Sequence, residues 1–203
     1  MTTDYARARR HLARRDPVLR DLMRAHGTCG LAAAQHGDPF GALMKAIVSQ
    51  QLSTKAADTI FKRLIALFDG PPTPPALAAL TDAQLRGVGL SGQKLRYMRD
   101  LGAKVHDGVV PLPALDAMSD EDVIVALTQV KGIGRWTAEM FLMFRLHRPD
   151  VLPVDDLGIV KAVQKAYGLR KTPSADRLNR IGEAWRPYRS VACWYLWRSL
   201  NNA

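Results

Sequence analysis

Two stretches of this chain carry residues whose types and spacing can do chemistry. The first is Val130-Lys131-Gly132-Ile133-Gly134-Arg135. Glycines between two helix-periodic segments let the backbone turn tightly and approach a partner closely. A helix starting after Gly134 presents unpaired N–H groups at its first turn, an arrangement suited to phosphate. Lys131 and Arg135 add positive charge, although a simple packing joint between two helices explains the same residues. The second stretch is Leu152-Pro153-Val154-Asp155-Asp156-Leu157-Gly158. A fixed carboxylate can stabilise a developing positive charge and orient or deprotonate a water. It can equally cap the helix predicted from Leu157, and one residue can hold both roles.

The elements that must position these residues read as helical almost throughout. Short β-branched runs, Val109-Val110 and Val151 to Val154, are bounded by Pro or Gly and do not build a sheet. Apolar residues from Phe40 to Phe68 follow a 3.6-residue period, broken around Gln50 to Ser53 into two helices. Gly70 to Pro75 is a turn-rich connector. Thr81 with Gln84 forms a capping box, and Ser119 with Asp122 opens another helix. Ser91 to Val105 and Trp136 to Leu146 are helical. A helix is predicted from Leu157 to Tyr167, and a last one from Glu183 to Leu200. Leu85 to Ser91 repeats the Gly-x-Gly plan of the stronger hairpin at Leu127 to Arg135.

Composition narrows the class of protein. The chain has 203 residues, 47% hydrophobic and 24% charged, and can bury a sizeable core. Lys and Arg total 29 against 19 Asp and Glu, a net +10 that points to a polyanion or an anionic surface. No uncharged apolar run approaches the ~20 residues of a membrane span. The arginine-rich N-terminus has no apolar segment behind it and is not a secretory signal; it reads as a plain surface helix. Only Cys29 and Cys193 are present, without the spacing of an iron–sulfur cluster or a cysteine zinc site, and a reduced intracellular protein is the default.

The segment Leu127 to Ala138, LTQVKGIGRWTA, followed by the Asp156 loop, resembles the helix-hairpin-helix DNA glycosylase superfamily, and in particular its 3-methyladenine DNA glycosylase II group. The separation from Gly134 to Asp156 fits that pattern. Ala46 to Ser53 is similar to the family's wedge-helix region, and Trp185 to Trp197 to its C-terminal helix. Four motifs in the family's order span Phe40 to Trp197. The resemblance implies an all-α fold in two lobes with a cleft between them, in a compact form without the N-terminal β-rich domain of longer members. Residues 36–146 would form the central lobe, and residues 1–35 with 147–203 the other.

The Asp-Leu-Gly pattern of the compact members implies that Asp156 is catalytic, with Asp155 as runner-up. Breaking an N-glycosidic bond leaves positive charge at the sugar C1′, which such a carboxylate stabilises. Relatives that cleave the strand carry a lysine nucleophile two residues past the last hairpin glycine. Trp136 stands there, which implies a monofunctional, hydrolytic enzyme. Trp136 and Trp197 match positions lining the base pocket, and Met140 stands where some relatives have tyrosine. Electron-rich rings favour cationic alkylpurines through contacts worth ~0.5–2 kcal/mol.

Leu52 matches the wedge that fills the gap left by a flipped base, although periodicity alone reads it equally as core. Gln51 would contact the opposite base or the backbone, and Phe40 and His36 precede this helix. Lys131, Gly132, Gly134, Arg135, Arg189 and Ser190 would contact DNA. The resemblance further implies a monovalent cation, sodium or potassium, on the carbonyls of Thr128, Val130 and Gly132, with no other cofactor required.

These readings together predict hydrolytic excision of 3-methyladenine, with 7-methylguanine as a second substrate, from double-stranded DNA by a monomer. It would work in the bacterial cytoplasm or nucleoid, or in a nucleus if eukaryotic. A non-catalytic hairpin module that binds distorted DNA, or a glycosylase of different lesion specificity, is the alternative. A membrane-surface protein fits the distributed core pattern poorly.

Overall fold

The computed structural model describes residues 4–33 and 38–200; His36 lies outside them. Among the described residues there is no strand. The helices are α1 (Tyr5–Arg15), α2 (Pro17–His26), α3 (Pro39–Ser49), α4 (Thr54–Ile65), α5 (Pro74–Ala79), α6 (Asp82–Gly87), α7 (Gly92–His106), α8 (Asp120–Thr128), α9 (Arg135–Phe144), α10 (Leu157–Ala166), α11 (Ala175–Gly182) and α12 (Arg189–Leu200). None is long and apolar enough to cross a membrane. The chain separates into two compact units, Met1–Gln35 with Leu142–Ala203, and His36–Phe141. The boundary falls inside α9, five residues before the 146 expected from the sequence, because a continuous helix carries no compositional break there.

In the unit of residues 36–141, helix starts follow their caps. Asp38 accepts the Gly41 N–H at 2.6 Å, Ser53 caps α4, and Thr81 with Gln84 forms the complete capping box of α6. Ser91 and Ser119 cap α7 and α8. Phe40, Leu43, Met44 and Ile47 of α3 are buried, as are Met98 and Leu101 of α7. Helices α3 and α7 pack on each other. Pro74 and Pro75, read from sequence as connector, instead begin α5: proline fits a first helical turn, where its missing N–H has no partner to lose.

The other unit closes the N-terminal helices onto the C-terminal ones, with α12 packed on α10, α2 and α1. Asp16 is buried at its centre. It caps α2 through the Leu19 N–H at 3.1 Å and accepts from Trp185 Nε1 at 2.9 Å and from the Tyr167 hydroxyl at 2.5 Å. Burial, followed by the neighbouring Asp16 carboxylate, raises the Tyr167 hydroxyl above its usual range. The last helix differs from the predicted Glu183–Leu200. Glu183–Trp185 is a 3-10 turn and the α-helix begins only at Arg189, since Pro187 has no N–H to continue the ladder. Helix α11, capped by Ser174, was not anticipated from the sequence.

Candidate active site

In the unit of residues 36–141, the α3–α4 turn raises Leu52 to the surface. Gln51 adopts φ +57°, uncommon for a non-glycine residue, and Leu52 is 39% exposed. The alternative of a core leucine is therefore excluded. Below the turn, Gln50 Nε2 donates to Gly132 O at 2.6 Å, so the α3–α4 turn and the hairpin are tied together.

The hairpin joins α8 to α9. Gly132 has φ +84°, and a Cβ there would meet the Tyr97 ring at 2.2 Å, so only glycine fits. Asp100, one turn along α7 from Tyr97, accepts the Lys131 N–H at 2.8 Å. Gly134 differs: a Cβ there would meet nothing within 4 Å. Open space thus faces the first turn of α9, where free N–H groups suit an anion. Lys131 is exposed, with Nζ 3.9 Å from Asp100.

Arg135 does not fit the expected phosphate contact. Its guanidinium makes a two-bond fork with Glu121 at 3.0 and 2.8 Å and reaches Glu139, one turn on, at 3.3 Å. It clamps α8 to α9, and the hydrogen bond from Arg135 lowers the pKa of the Glu121 carboxyl. A cleft of about 370 Å³ is lined by Gln50, Gln51, Lys94, Tyr97, Gly132 and Trp136, among others. Trp136 is 48% exposed and Met140, one turn along α9, is half-buried.

The carbonyls of Thr128, Val130 and Gly132, implied for a monovalent cation, lie in and beside this hairpin. Val130 O accepts the Ile133 N–H at 3.0 Å, and Gly132 O accepts from Gln50. Two of the three oxygens already serve protein hydrogen bonds, one to a side chain from another helix. A carbonyl oxygen has two lone pairs, so each of the three keeps one for a further partner. Among the described residues, no group of three or more His, Cys, Asp or Glu side chains is placed to hold a metal ion.

In the unit that contains residues 142–203, Asp156 caps α10 and is buried, whereas Asp155 is exposed. Asp156 Oδ1 accepts the Ile159 N–H at 2.7 Å and Trp197 Nε1–H at 2.8 Å. Backbone and indole together fix the carboxylate's orientation. Gly158 makes room for this contact. The Trp197 ring stacks on Phe144, with centroids 5.9 Å apart. Phe144 was missed in the sequence, although its four-residue spacing from Trp136 through Met140 could have flagged it.

Arg189 and Ser190 also depart from the expected DNA contacts. Arg189 holds Asp150 through Nε at 2.7 Å and NH2 at 3.0 Å. Ser190 is 1% exposed; its hydroxyl donates to Arg148 O at 2.7 Å and accepts the Val151 N–H at 2.9 Å. Both side chains are consumed in fastening the loop that leads to Asp156. Trp194 is half-buried and stands under Arg198.

Comparison with known proteins agrees with these features. The family described as the HhH-GPD superfamily of base excision DNA repair proteins matches residues 44–187. The chain is 32% identical over 203 residues to DNA-3-methyladenine glycosylase 1 of Schizosaccharomyces pombe, covering 98% of this chain and 89% of that protein. It superposes on the DNA-3-methyladenine glycosidase of Bacillus halodurans with a TM-score of 0.86 at 36% identity, covering 98% of this chain and 91% of the other. The S. pombe 3-methyladenine DNA glycosylase in complex with abasic DNA gives a TM-score of 0.81 at 32% identity, covering 96% and 97%.

Proposed function

The chain belongs to the HhH-GPD superfamily of base excision DNA repair proteins, and on that premise we propose that it is a monofunctional DNA glycosylase that flips alkylated purines, 3-methyladenine above all and 7-methylguanine second, out of duplex DNA and removes them with water. The observation that carries this reading is the buried carboxylate of Asp156, held by a helix N–H and an indole N–H in a chain of this family. The names of its similar relatives, 3-methyladenine glycosylases, support the substrate class.

The proposed division of labour follows from the side chains. Gly134 leaves room for a phosphate at the first turn of α9, and Lys131 supplies charge beside it. Leu52, standing out of the α3–α4 turn, fills the gap left in the stack, since unstacking a base costs a few kcal/mol. Trp136, and the stacked pair Phe144 and Trp197, offer π-faces to a cationic purine.

As the C1′–N bond breaks, its electron pair goes to the ring and neutralises the purine's charge, so the leaving base needs no proton. Asp156 stabilises the positive sugar. A water oxygen then bonds to C1′ and its proton passes to the carboxylate or to solvent. With tryptophan at position 136, no amine there attacks C1′. The product is an abasic site on an intact strand. The substrate puts the enzyme where chromosomal DNA is, and a single chain carries all the residues invoked.

The test is base release from methylated duplex, wild type beside Asp156→Asn, with strand scission scored before and after alkali. Asparagine also caps helices, so the variant should fold. We expect wild type alone to release methylpurine, with nicks only after alkali. Equal release by the variant would remove Asp156 from the chemistry, and nicking without alkali would show a lyase.

A further inference from the structure

Helices α1 and α2 concentrate positive charge that the proposed excision chemistry does not use. Residues 4–26 hold seven arginines against three aspartates, a net +4 of the chain's +10 in 23 of its 203 residues. Two of those aspartates are already employed: Asp4 caps α1, and Asp16 is buried beneath Tyr167 and Trp185.

A concave cleft of about 360 Å³ is lined by Arg9, Arg10, Arg20 and Arg24, together with Ala6, Ala13 and Met23. Arg20 and Arg24 share one exposed carboxylate, Asp21, at the long distances of 3.6 and 3.5 Å, a weak pairing. Among the described residues Arg9 and Arg10 make no ion pair. Arg9 Nε is enclosed and has no hydrogen-bond partner. An enclosed donor without an acceptor is an exception that calls for a partner.

A hollow rich in guanidinium donors and poor in acceptors suits an oxyanion, and arginine's planar fork matches phosphate oxygens in pairs. Of the larger apolar residues of the two helices, Leu12, Leu19 and Met23 are buried and Val18 and Leu22 half-buried. They leave no apolar face to sink into a lipid surface, which membrane-lying helices need. The hairpin's own Arg135 is offset by two carboxylates, which leaves Lys131 as the hairpin's main charge, so further electrostatic attraction to DNA comes from elsewhere in the chain. We propose that the Arg9–Arg10–Arg20–Arg24 cleft is a second DNA-backbone contact, taking phosphodiesters of the duplex in addition to those at the hairpin. The proposal rests on the reading of duplex DNA as ligand, not on the excision chemistry.

The test is Arg9→Gln/Arg10→Gln in the full chain, with affinity for an undamaged duplex measured against KCl concentration. Single-turnover release from methylated duplex at saturating enzyme is followed in parallel. Each phosphate contact contributes about 0.9 to the slope of log K against log salt, so the slope should shrink by about 2 and low-salt affinity fall about tenfold. The saturated release rate should not change. Arg14→Gln/Arg15→Gln removes the same charge from α1 outside the cleft and should change the slope much less.

An unchanged slope, or equal losses in the two variants, overturns the proposal. So does lost binding to vesicles of anionic phospholipid with duplex binding untouched. If the first variant melts early, Arg20→Gln/Arg24→Gln carries the same test from α2. Absence of base release in the wild type would sink the excision reading while leaving this salt dependence measurable.

Discussion

At Gly158 an added Cβ would stand 2.9 Å from Asp156 Oδ1 and 3.0 Å from Trp197 Nε1. Even one methyl must push the indole off the carboxylate. Hydrogen bonds to charged groups contribute roughly 1.5–3 kcal/mol, so Gly158→Ala should slow single-turnover release about 10- to 100-fold. Binding to undamaged duplex should stay near wild type, because neither Asp156 nor Trp197 is invoked there. A wild-type release rate would deny Trp197 its positioning role. The sequence shows how much of this pair is legible one residue at a time. An acid before Leu157 reads as a helix cap, and Asp156 is that cap. Its choice over Asp155 came only from family likeness, since adjacent acids look alike in type and spacing. The indole contact spans 41 positions and has no local signature. Nor does the direction of a side chain: Arg189 and Ser190 looked like phosphate ligands because type and place suited them, yet both point into the loop they fasten.

The hairpin is the element in which two glycines, two residues apart, do opposite work. Gly132 combines φ +84° with the Tyr97 ring against its α-carbon, so its constraint lies inside the fold. Gly134 has open space around it, so its constraint must come from what approaches. Gly132→Ala should lose about 1–3 kcal/mol of stability from the strained backbone and the displaced ring. Gly134→Val should melt within about 1 kcal/mol of wild type, β-branching costing little at a helix start. Its affinity for duplex DNA should nonetheless fall, with denaturant titration and a binding isotherm as the two readouts. A Gly134→Val protein that binds DNA normally would break the assignment of that space to a phosphate. At this scale the sequence is most legible where hydrogen bonds are local. The Thr81 box, the Ser119 start and the break at Gln50 to Ser53 all rest on contacts within four residues. Helix α11 escaped because few of its residues are buried, Leu178 and Gly182, between arginines that read as surface charge. The supports of the hairpin, Gln50 and Asp100, lie 82 and 31 positions from their partners and left no pattern to read.

The whole molecule is held by long-range closures that composition only permits. In the unit joining both ends of the chain, Tyr195 donates its hydroxyl to Gly27 O at 2.8 Å across 168 positions, and Asp16 binds Tyr167 and Trp185 over comparable spans. These closures bury groups that ionise in alkali. Burial pushes the Cys29 thiol up from 9.0 to about 11, against the opposing pull of the Leu31 N–H and Arg9, and pushes the Tyr195 hydroxyl up to about 12. Above pH 9 the unfolded chain therefore loses its thiol proton while the folded chain retains it. The unfolded state then binds fewer protons, and stability falls as pH rises. The contribution from Cys29 is fully present below pH 9 and is lost by about pH 11. A two-unit displacement corresponds to about 3 kcal/mol at most. Cys29→Ala should start slightly less stable at pH 7, from the small cavity, and then decline less steeply between pH 9 and 11 than wild type in urea titrations. Parallel curves for the two proteins would mean that the thiol is not the group whose ionisation opens this unit, and the tyrosines, which titrate above it, would be left to account for the alkaline limit.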